Sequence, residues 1–354
     1  MKYYDWNKTL SYNADVTIVV GARGIGKTYG LRKHCIKYYI KKGYKYVEVV
    51  RYKNQISSFI KNYFGRLSTD DSFNKYEFKT EGDTGYIRLK DDTLKKEENP
   101  WQPFMYVVAL TDSQKLKTRT FDHVKYIIFD EFILDKKMKQ FYKYLPCEVA
   151  VLQDIVDTIS RETIETKEAD KVKVILMGNA LDALNPYFVK FNLYKDLKKG
   201  KYRRFNNKRG LLHYVEVPDD YKVTKQNSVA FVFDDKQTSE VAANNEFYAM
   251  QNTSFIAEKT ERAKCMCNIR DSNGVISLWC DVVENKLYCV SKEVPNVPSI
   301  ALTHEVADSN NIIARRTNKI IKLMIDMFYV NCLYYDDKST QLKVFQILNR
   351  YANI

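Results

Sequence analysis

The 354-residue chain has no run of 18 apolar residues, and its opening, Met1-Lys2-Tyr3-Tyr4-Asp5-Trp6, carries no apolar signal core. Neither a membrane span nor an export signal is expected, which places the protein in the cytoplasm of the cell that makes it. Histidines are few and scattered: His34, His123, His213 and His304 suggest no metal triad. The seven cysteines are an odd number, which argues against a complete disulfide framework. Cys265-Met266-Cys267 sets one residue between its thiols rather than two, and with Cys280 and Cys289 nearby a zinc site is the alternative reading. Those positions fall in alternating apolar runs, so buried reduced thiols are the expectation. Acids for nuclease chemistry are also wanting: Asp271 and Asp281 lie in the same region, but no set of three or four converges. No internal repeat or low-complexity tract interrupts the chain.

What the chain has is charge and aromatic bulk. Charged residues make up 29% and aromatics 14%, with 27 tyrosines, the composition of a folded protein long enough for two cores. The net charge is +13 and the pI near 9.1. Such an excess favours an anionic partner, of which nucleic acid is the commonest; a lysine-decorated surface from an AT-biased genome is the bland alternative.

Strand and helix signals alternate through the first two hundred residues. Val16 to Val20 is a short apolar run before a glycine-rich turn, which reads as a buried parallel strand. Helical spacing follows over residues 27–41, a strand over 45–50 and a helix over 56–64. Further strands are expected at 105–110, 126–129 and 172–177, with an edge hairpin around Phe78 and Tyr86 to Leu89. The pattern predicts an α/β domain with a mostly parallel sheet flanked by helices. Residues 195–209 then hold eight basic side chains against one acid, and polar, turn-rich sequence continues to about Asn245. An antiparallel meander is expected over 264–290, then two helices, one carrying Ile312, Ile313, Ile320, Met324 and Phe328, the other from about Thr340 to Tyr351. The expected division is the α/β domain over 1–205, a linker over 206–244 and a small α+β domain over 245–354.

Gly21-Ala22-Arg23-Gly24-Ile25-Gly26-Lys27-Thr28 matches the phosphate-binding loop pattern in full. Glycines let backbone amides turn toward phosphates, and the loop ends at a helix N-terminus whose dipole favours anions. Lys27 would reach the β- and γ-phosphates of ATP, and the Thr28 hydroxyl would hold Mg²⁺. The second motif is Tyr126-Ile127-Ile128-Phe129-Asp130-Glu131, a buried strand ending in two carboxylates. Asp130 would serve the Mg²⁺ shell, and Glu131 would polarise the attacking water. A third strand ends in Gly178-Asn179-Ala180, where Asn179 would sense the γ-phosphate or simply close a turn. Arg161, in Asp157-Thr158-Ile159-Ser160-Arg161-Glu162, is the candidate for an arginine that completes a neighbouring subunit's site; an ordinary surface ion pair is its alternative. Lys115 is a second trans-acting cation to weigh. After the acidic strand, Lys136, Lys137 and Lys139 would grip a phosphate backbone without reading sequence, or form a solvated face.

Taken in order, these segments resemble the genome-packaging ATPases, or encapsidation proteins, of phi29-like small tailed phages. The likeness is carried by Leu10-Ser11-Tyr12, the loop Gly21 to Thr28, Val50-Arg51-Tyr52-Lys53, Ile128 to Ile133, Asp157-Thr158, Asn179-Ala180 leading to Asn185-Pro186-Tyr187-Phe188, and Phe191-Asn192-Leu193. A looser match follows at Leu278-Trp279-Cys280-Asp281-Val282. The resemblance implies an additional-strand, catalytic-glutamate P-loop NTPase domain, a linker, and an RNase H-like C-terminal domain whose nuclease chemistry is lost. It also implies a pentameric ring at the procapsid portal that drives double-stranded DNA inward, with Arg161 acting across subunits. Some relatives dock on a structural packaging RNA. The rival readings are a helicase or plasmid-mobilising translocase, an ATP-switched nucleic-acid-binding scaffold and, more distantly, a P-loop kinase.

Overall fold

The computed structural model describes the chain except for residues 1–3, 92, 94–96, 135–143, 146–147, 162–170, 181–184, 192, 194–196, 218–219, 222, 224–254, 272–273, 303–305, 309–310, 314–317 and 353–354. Two compact units result, one drawn from the chain up to Phe247 and the other from Tyr248 onward. No helix among the described residues is long and apolar enough to cross a membrane.

The first unit begins with the short helix α1 (Trp6–Ser11), strand β1 (Val16–Val20), helix α2 (Lys27–Lys42), strand β2 (Lys45–Val50) and helix α3 (Gln55–Lys61). The hairpin β3 (Tyr76–Glu81) and β4 (Thr84–Leu89) follows, then β5 (Gln102–Ala109), the single turn α4 (Ser113–Leu116) and β6 (Val124–Asp130). Next come α5 (Glu148–Ser160), β7 (Lys173–Gly178), α6 (Pro186–Lys190), β8 (Lys201–Phe205) and β9 (Gly210–Tyr214). The strands form one sheet in the order β3-β4-β5-β2-β6-β7-β1-β9-β8. From β5 to β9 all ladders are parallel, with antiparallel hairpins at both edges. Strand β7 sits between β1 and β6, the additional strand that the resemblance implies.

The sheet is buried on both faces, which is why its central strands read as unbroken apolar runs. One face packs Leu31, Cys35 and Ile36 of α2 with Val19, Ile128 and Met177. The other packs Leu152, Ile155 and Ile159 of α5, and Tyr187 and Phe188 of α6, with Ile127, Phe129 and Leu176. Leu152, Ile155 and Ile159 recur at helical spacing, so one stripe of α5 faces the sheet. Each such side chain contributes about 1.5–3 kcal/mol of burial.

The expected boundary at 205 falls too early. Strand β9 pairs in parallel with β1 from Val16↔Gly210 to Val20↔Tyr214, and Val215, Val217 and Tyr221 pack into the α2 core. Residues 206 to 217, expected as the start of a linker, therefore belong to the first unit. A basic, turn-rich segment concealed two strands because their apolar residues (Phe205, Leu211, Leu212) are few and their partner is distant in sequence. Residues 224–244 of the expected linker lie outside the described residues.

The second unit is a six-stranded sheet ordered β14-β13-β10-β11-β12-β15, with β10 (Lys264–Asp271), β11 (Gly274–Asp281), β12 (Lys286–Val290), β13 (Ser299–Ala301), β14 (Asn311–Ile313) and β15 (Leu333–Tyr335). The expected meander is β10-β11-β12; β13 and β14 continue in parallel on one side and β15 on the other. An antiparallel trio extended by parallel strands beside its first member is the RNase H-like arrangement. Helices α7 (Lys319–Tyr329) and α8 (Lys338–Ala352) cover it through Ile321, Met324, Val344 and Leu348. Ile312 and Ile313, expected in the first of these helices, lie in β14, and α7 starts after the N-cap Asn318. Cys267 and Cys289 are buried in this core, and Cys265 and Cys280 are half-buried. Among the described residues no group of three or more His, Cys, Asp or Glu could hold a metal.

Candidate active site

The parallel strands end together along one edge of the first sheet, the edge where α/β folds place their ligands. Beyond Val20 the chain turns into the loop of residues 21–26 and enters α2 at Lys27. Gly24 and Gly26 have φ of +92° and +81°, in the left-handed region that other residues adopt only at a cost. The loop is braced from three directions. Gly21 N–H donates to Gly178 O at 3.1 Å, Trp6 Nε1 to Lys27 O at 2.7 Å and Tyr4 N–H to Ile25 O at 3.0 Å. The Tyr221 hydroxyl reaches the Arg23 carbonyl. Helix α2 is tied down in turn by Arg32, 2.9 Å from Glu48 on β2, and by Lys33, 2.7 Å from Asp70.

Lys27 is buried, and its Nζ donates to Gly21 O at 2.9 Å and Ala22 O at 2.7 Å, so the amine is folded into the curve of its own loop. Burial pulls its pKa down to about 8, against the opposing pull of Asp130. Thr28 donates from Oγ1 to Asp130 Oδ2 at 2.6 Å, and Asp130 Oδ1 accepts from the Glu131 N–H at 2.9 Å. A hydroxyl and a carboxylate oxygen thus converge at the mouth of the loop. This hard-oxygen pair fits Mg²⁺, which prefers few protein ligands alongside phosphates. Glu131 is exposed with φ +55°, and its carboxylate faces the Arg23 guanidinium at 3.9 Å.

Asn179 directly follows Gly178 at the end of β7 and is half-buried, beside the loop. Ladder register places Asp130 opposite Met177 and Val20 opposite Gly178, so the strand ends bearing the loop, Asp130 and Asn179 are consecutive. Arg161 lies apart from them. It is exposed just past α5, in whose last turns the Thr158 and Ser160 hydroxyls donate to Asp154 O and Val156 O. Lys115 is exposed on α4, 3.9 Å from Asp112. Lys136, Lys137 and Lys139 lie outside the described residues.

Sequence reasoning assigned no role to Arg51, Glu148 or Tyr187, which form a buried cluster behind the acidic turn. Arg51 pairs with Glu148 at 2.8 Å, and the Tyr187 hydroxyl donates to Glu148 at 2.9 Å. The available signals were a charge directly after an apolar strand and a Glu opening an apolar helix; their pairing across 97 residues was not visible.

A phosphate-type loop after β1, one acid ending β6 with a second directly after it, and a strand between β1 and β6 define a P-loop NTPase fold of the additional-strand class. A family model described as Podovirus DNA encapsidation protein (Gp16) matches residues 1–351, and the chain belongs to that family. It is 30% identical over 335 residues to the DNA packaging protein of Bacillus phage B103, covering 93% of this chain and 95% of the relative. Its backbone is similar to that of the Phi-28 gp11 DNA packaging motor, with a TM-score of 0.63 at 18% identity, covering 99% and 98% of the two chains. The bacteriophage Phi-29 viral genome packaging motor assembly gives a TM-score of 0.59 at 23% identity, covering 99% and 100%.

Proposed function

We propose that this protein hydrolyses ATP and uses the energy to drive double-stranded DNA into a preformed procapsid, as one subunit of a homo-oligomeric ring, five-membered by analogy with the family, at the portal. The observation that carries this reading is the 2.6 Å contact of Thr28 with Asp130, which sets the water-activating candidate Glu131 beside the phosphate loop. The loop amides and Lys27 bind the phosphates; Thr28 and Asp130 would hold Mg²⁺, which would supply positive charge against the phosphates. Glu131 takes the proton of the attacking water as the water oxygen bonds to the γ-phosphorus and the bond to the leaving phosphate breaks. Asn179 senses the γ-phosphate from the neighbouring strand end. Arg161, with Lys115 as the second candidate, reaches the adjacent subunit's site from an exposed position and stabilises charge there.

Lys136, Lys137 and Lys139, six to nine residues downstream of Asp130, pass the motion to the DNA backbone. The ring docks on the portal, and the second unit serves docking on a packaging RNA where one is used. The work takes place in the host cytoplasm. The test is ATP turnover by the purified protein, alone and with duplex or single-stranded DNA, beside Glu131→Gln. Stimulation chiefly by duplex, abolished in the variant while ATP still binds, is expected. Preference for single strands would favour a helicase instead, and normal turnover by Glu131→Gln would remove that residue from the mechanism.

A further inference from the structure

Arg51 stands directly after β2 and is only 5% exposed. Its guanidinium reaches three acceptors. Nε and Nη2 donate to the two Glu148 carboxylate oxygens at 2.8 and 3.0 Å, and Nη2 donates also to the Phe132 carbonyl at 2.9 Å. Phe132 is the residue after Glu131, and its N–H donates to Met177 O of β7 at 3.3 Å. The peptide groups flanking Phe132 are thus pinned on one side by the sheet and on the other by Arg51. Glu131 holds a left-handed φ of +55°, which a non-glycine residue keeps only where its surroundings enforce it. With the Arg51 pin removed, that turn is free to relax and the carboxylate moves with it.

The same guanidinium also holds the start of α5. Glu148 is the first described residue of that helix, and its Oε2 accepts from the Leu145 N–H at 2.9 Å while its own N–H donates to Leu145 O at 3.1 Å. The Tyr187 hydroxyl donates to the other oxygen. Helix α5 spans thirteen residues and Arg161 follows it, so the helix is a rod of about 20 Å with Arg51 at its base. Arginine suits this joint: its planar fork bonds carboxylate and carbonyl together, whereas a lysine amine is a compact point charge that cannot reproduce the bidentate pairing.

We propose that Arg51 is a positioning residue for two active sites at once: it aims Glu131 in its own subunit's site, and through Glu148 and α5 it sets Arg161 toward the neighbour's. The inference rests on the roles proposed above for Glu131 and Arg161. A subunit lacking this joint impairs both its own site and the next one in the ring.

The experiment compares full-length Arg51→Lys with wild type and Glu131→Gln for nucleotide affinity, DNA-stimulated turnover and melting temperature, then titrates Arg51→Lys into wild-type rings. Arg51→Lys is expected to bind ATP within about twofold of wild type and to turn over about a hundredfold more slowly, the scale of a small misplacement of a catalytic group. In mixed rings, turnover should fall with the square of the wild-type fraction, because each active site needs two intact subunits. Glu148→Gln keeps the volume of the acid but removes its charge and one of its two acceptor oxygens; it carries the same test where Arg51→Lys does not fold. Linear dilution in mixed rings would overturn the link to the neighbour. Affinity and turnover falling together with melting temperature would reduce the joint to an ion pair that merely holds the fold. Normal turnover by Arg51→Lys beside an inactive Glu131→Gln would sink this inference alone; normal turnover by Glu131→Gln would sink the mechanism it rests on.

Discussion

Thr28 Oγ1 and Asp130 Oδ2 are 2.6 Å apart although 102 residues separate them in the chain. The parallel ladders that set β1, β7 and β6 side by side produce this meeting, and it joins the hydroxyl and the carboxylate in one hydrogen-bonded pair. Thr28→Ala should lower magnesium-dependent turnover by about a hundredfold, comparable to losing one group that stabilises developing charge. Thr28→Ser keeps the hydroxyl and should stay within a few-fold of wild type. Turnover measured against magnesium concentration separates the cases: Thr28→Ala should need more metal, whereas a purely structural role would leave the metal dependence unchanged.

Lys27 gives a pH prediction with a definite sign. Burial lowers its pKa from 10.5 to about 8 in the folded protein. The amine is charged below that value and neutral above it, so the charge that attracts phosphate fades as pH rises through about 8. ATP affinity, followed with a fluorescent analogue between pH 7 and about pH 9.5, should weaken above the midpoint. On stability the sign is opposite. The unfolded chain binds more protons between about 8 and 10.5, so this group makes folding more favourable as pH rises through that window. An affinity flat to pH 9.5 would show that the amine is not buried in solution as it is here.

The central strands and the loop were legible because burial on both faces leaves continuous apolar runs, and the loop's chemistry demands residue types at fixed spacing. Val16 to Val20, Tyr126 to Asp130 and Val174 to Gly178 carry their own evidence. Strands β8, β9, β13, β14 and β15 do not. Three of them have only three residues, and β8 is a basic edge strand whose alternation Lys201, Tyr202, Arg203, Arg204 resembles a solvated turn. Arg51 could be quoted as part of a shared segment, but its partner Glu148 is fixed by the packing of α5 on the sheet, which no local pattern encodes. Pairings of this kind are where sequence reasoning stops.

The β8–β9 hairpin supports a stability prediction. Gly210 pairs with Phe205 across the ladder, and a Cβ at Gly210 would fall among the Phe205 ring atoms. The ring covers the glycine, a known way of rescuing a residue with no side chain to pack. Gly210→Ala should therefore destabilise the first unit by about 1–3 kcal/mol through overpacking. Because β9 is the neighbour of β1, the loss should appear in thermal unfolding of the whole first unit rather than as fraying of an edge. Unfolding of Gly210→Ala at the wild-type temperature would show that Phe205 moves aside without cost.

If Arg161 acts on the neighbouring subunit, its loss and the loss of Glu131 damage different sites. In Arg161→Ala the subunit's own loop, Asp130 and Glu131 are intact and only its contribution to the next site is missing. In Glu131→Gln the reverse holds. Each variant alone should form rings with turnover reduced by about two to four orders of magnitude, the range for a positioned base or a trans-acting arginine. Mixed in equal amounts, they should regain activity, because some interfaces join an intact Glu131 to an intact Arg161. That recovery is the measurement to make: an arginine acting within its own subunit's site leaves every mixed site defective in one residue or the other, and such mixtures stay inactive. Repeating the mixture with Lys115→Ala in place of Arg161→Ala then decides which of the two exposed cations crosses the interface.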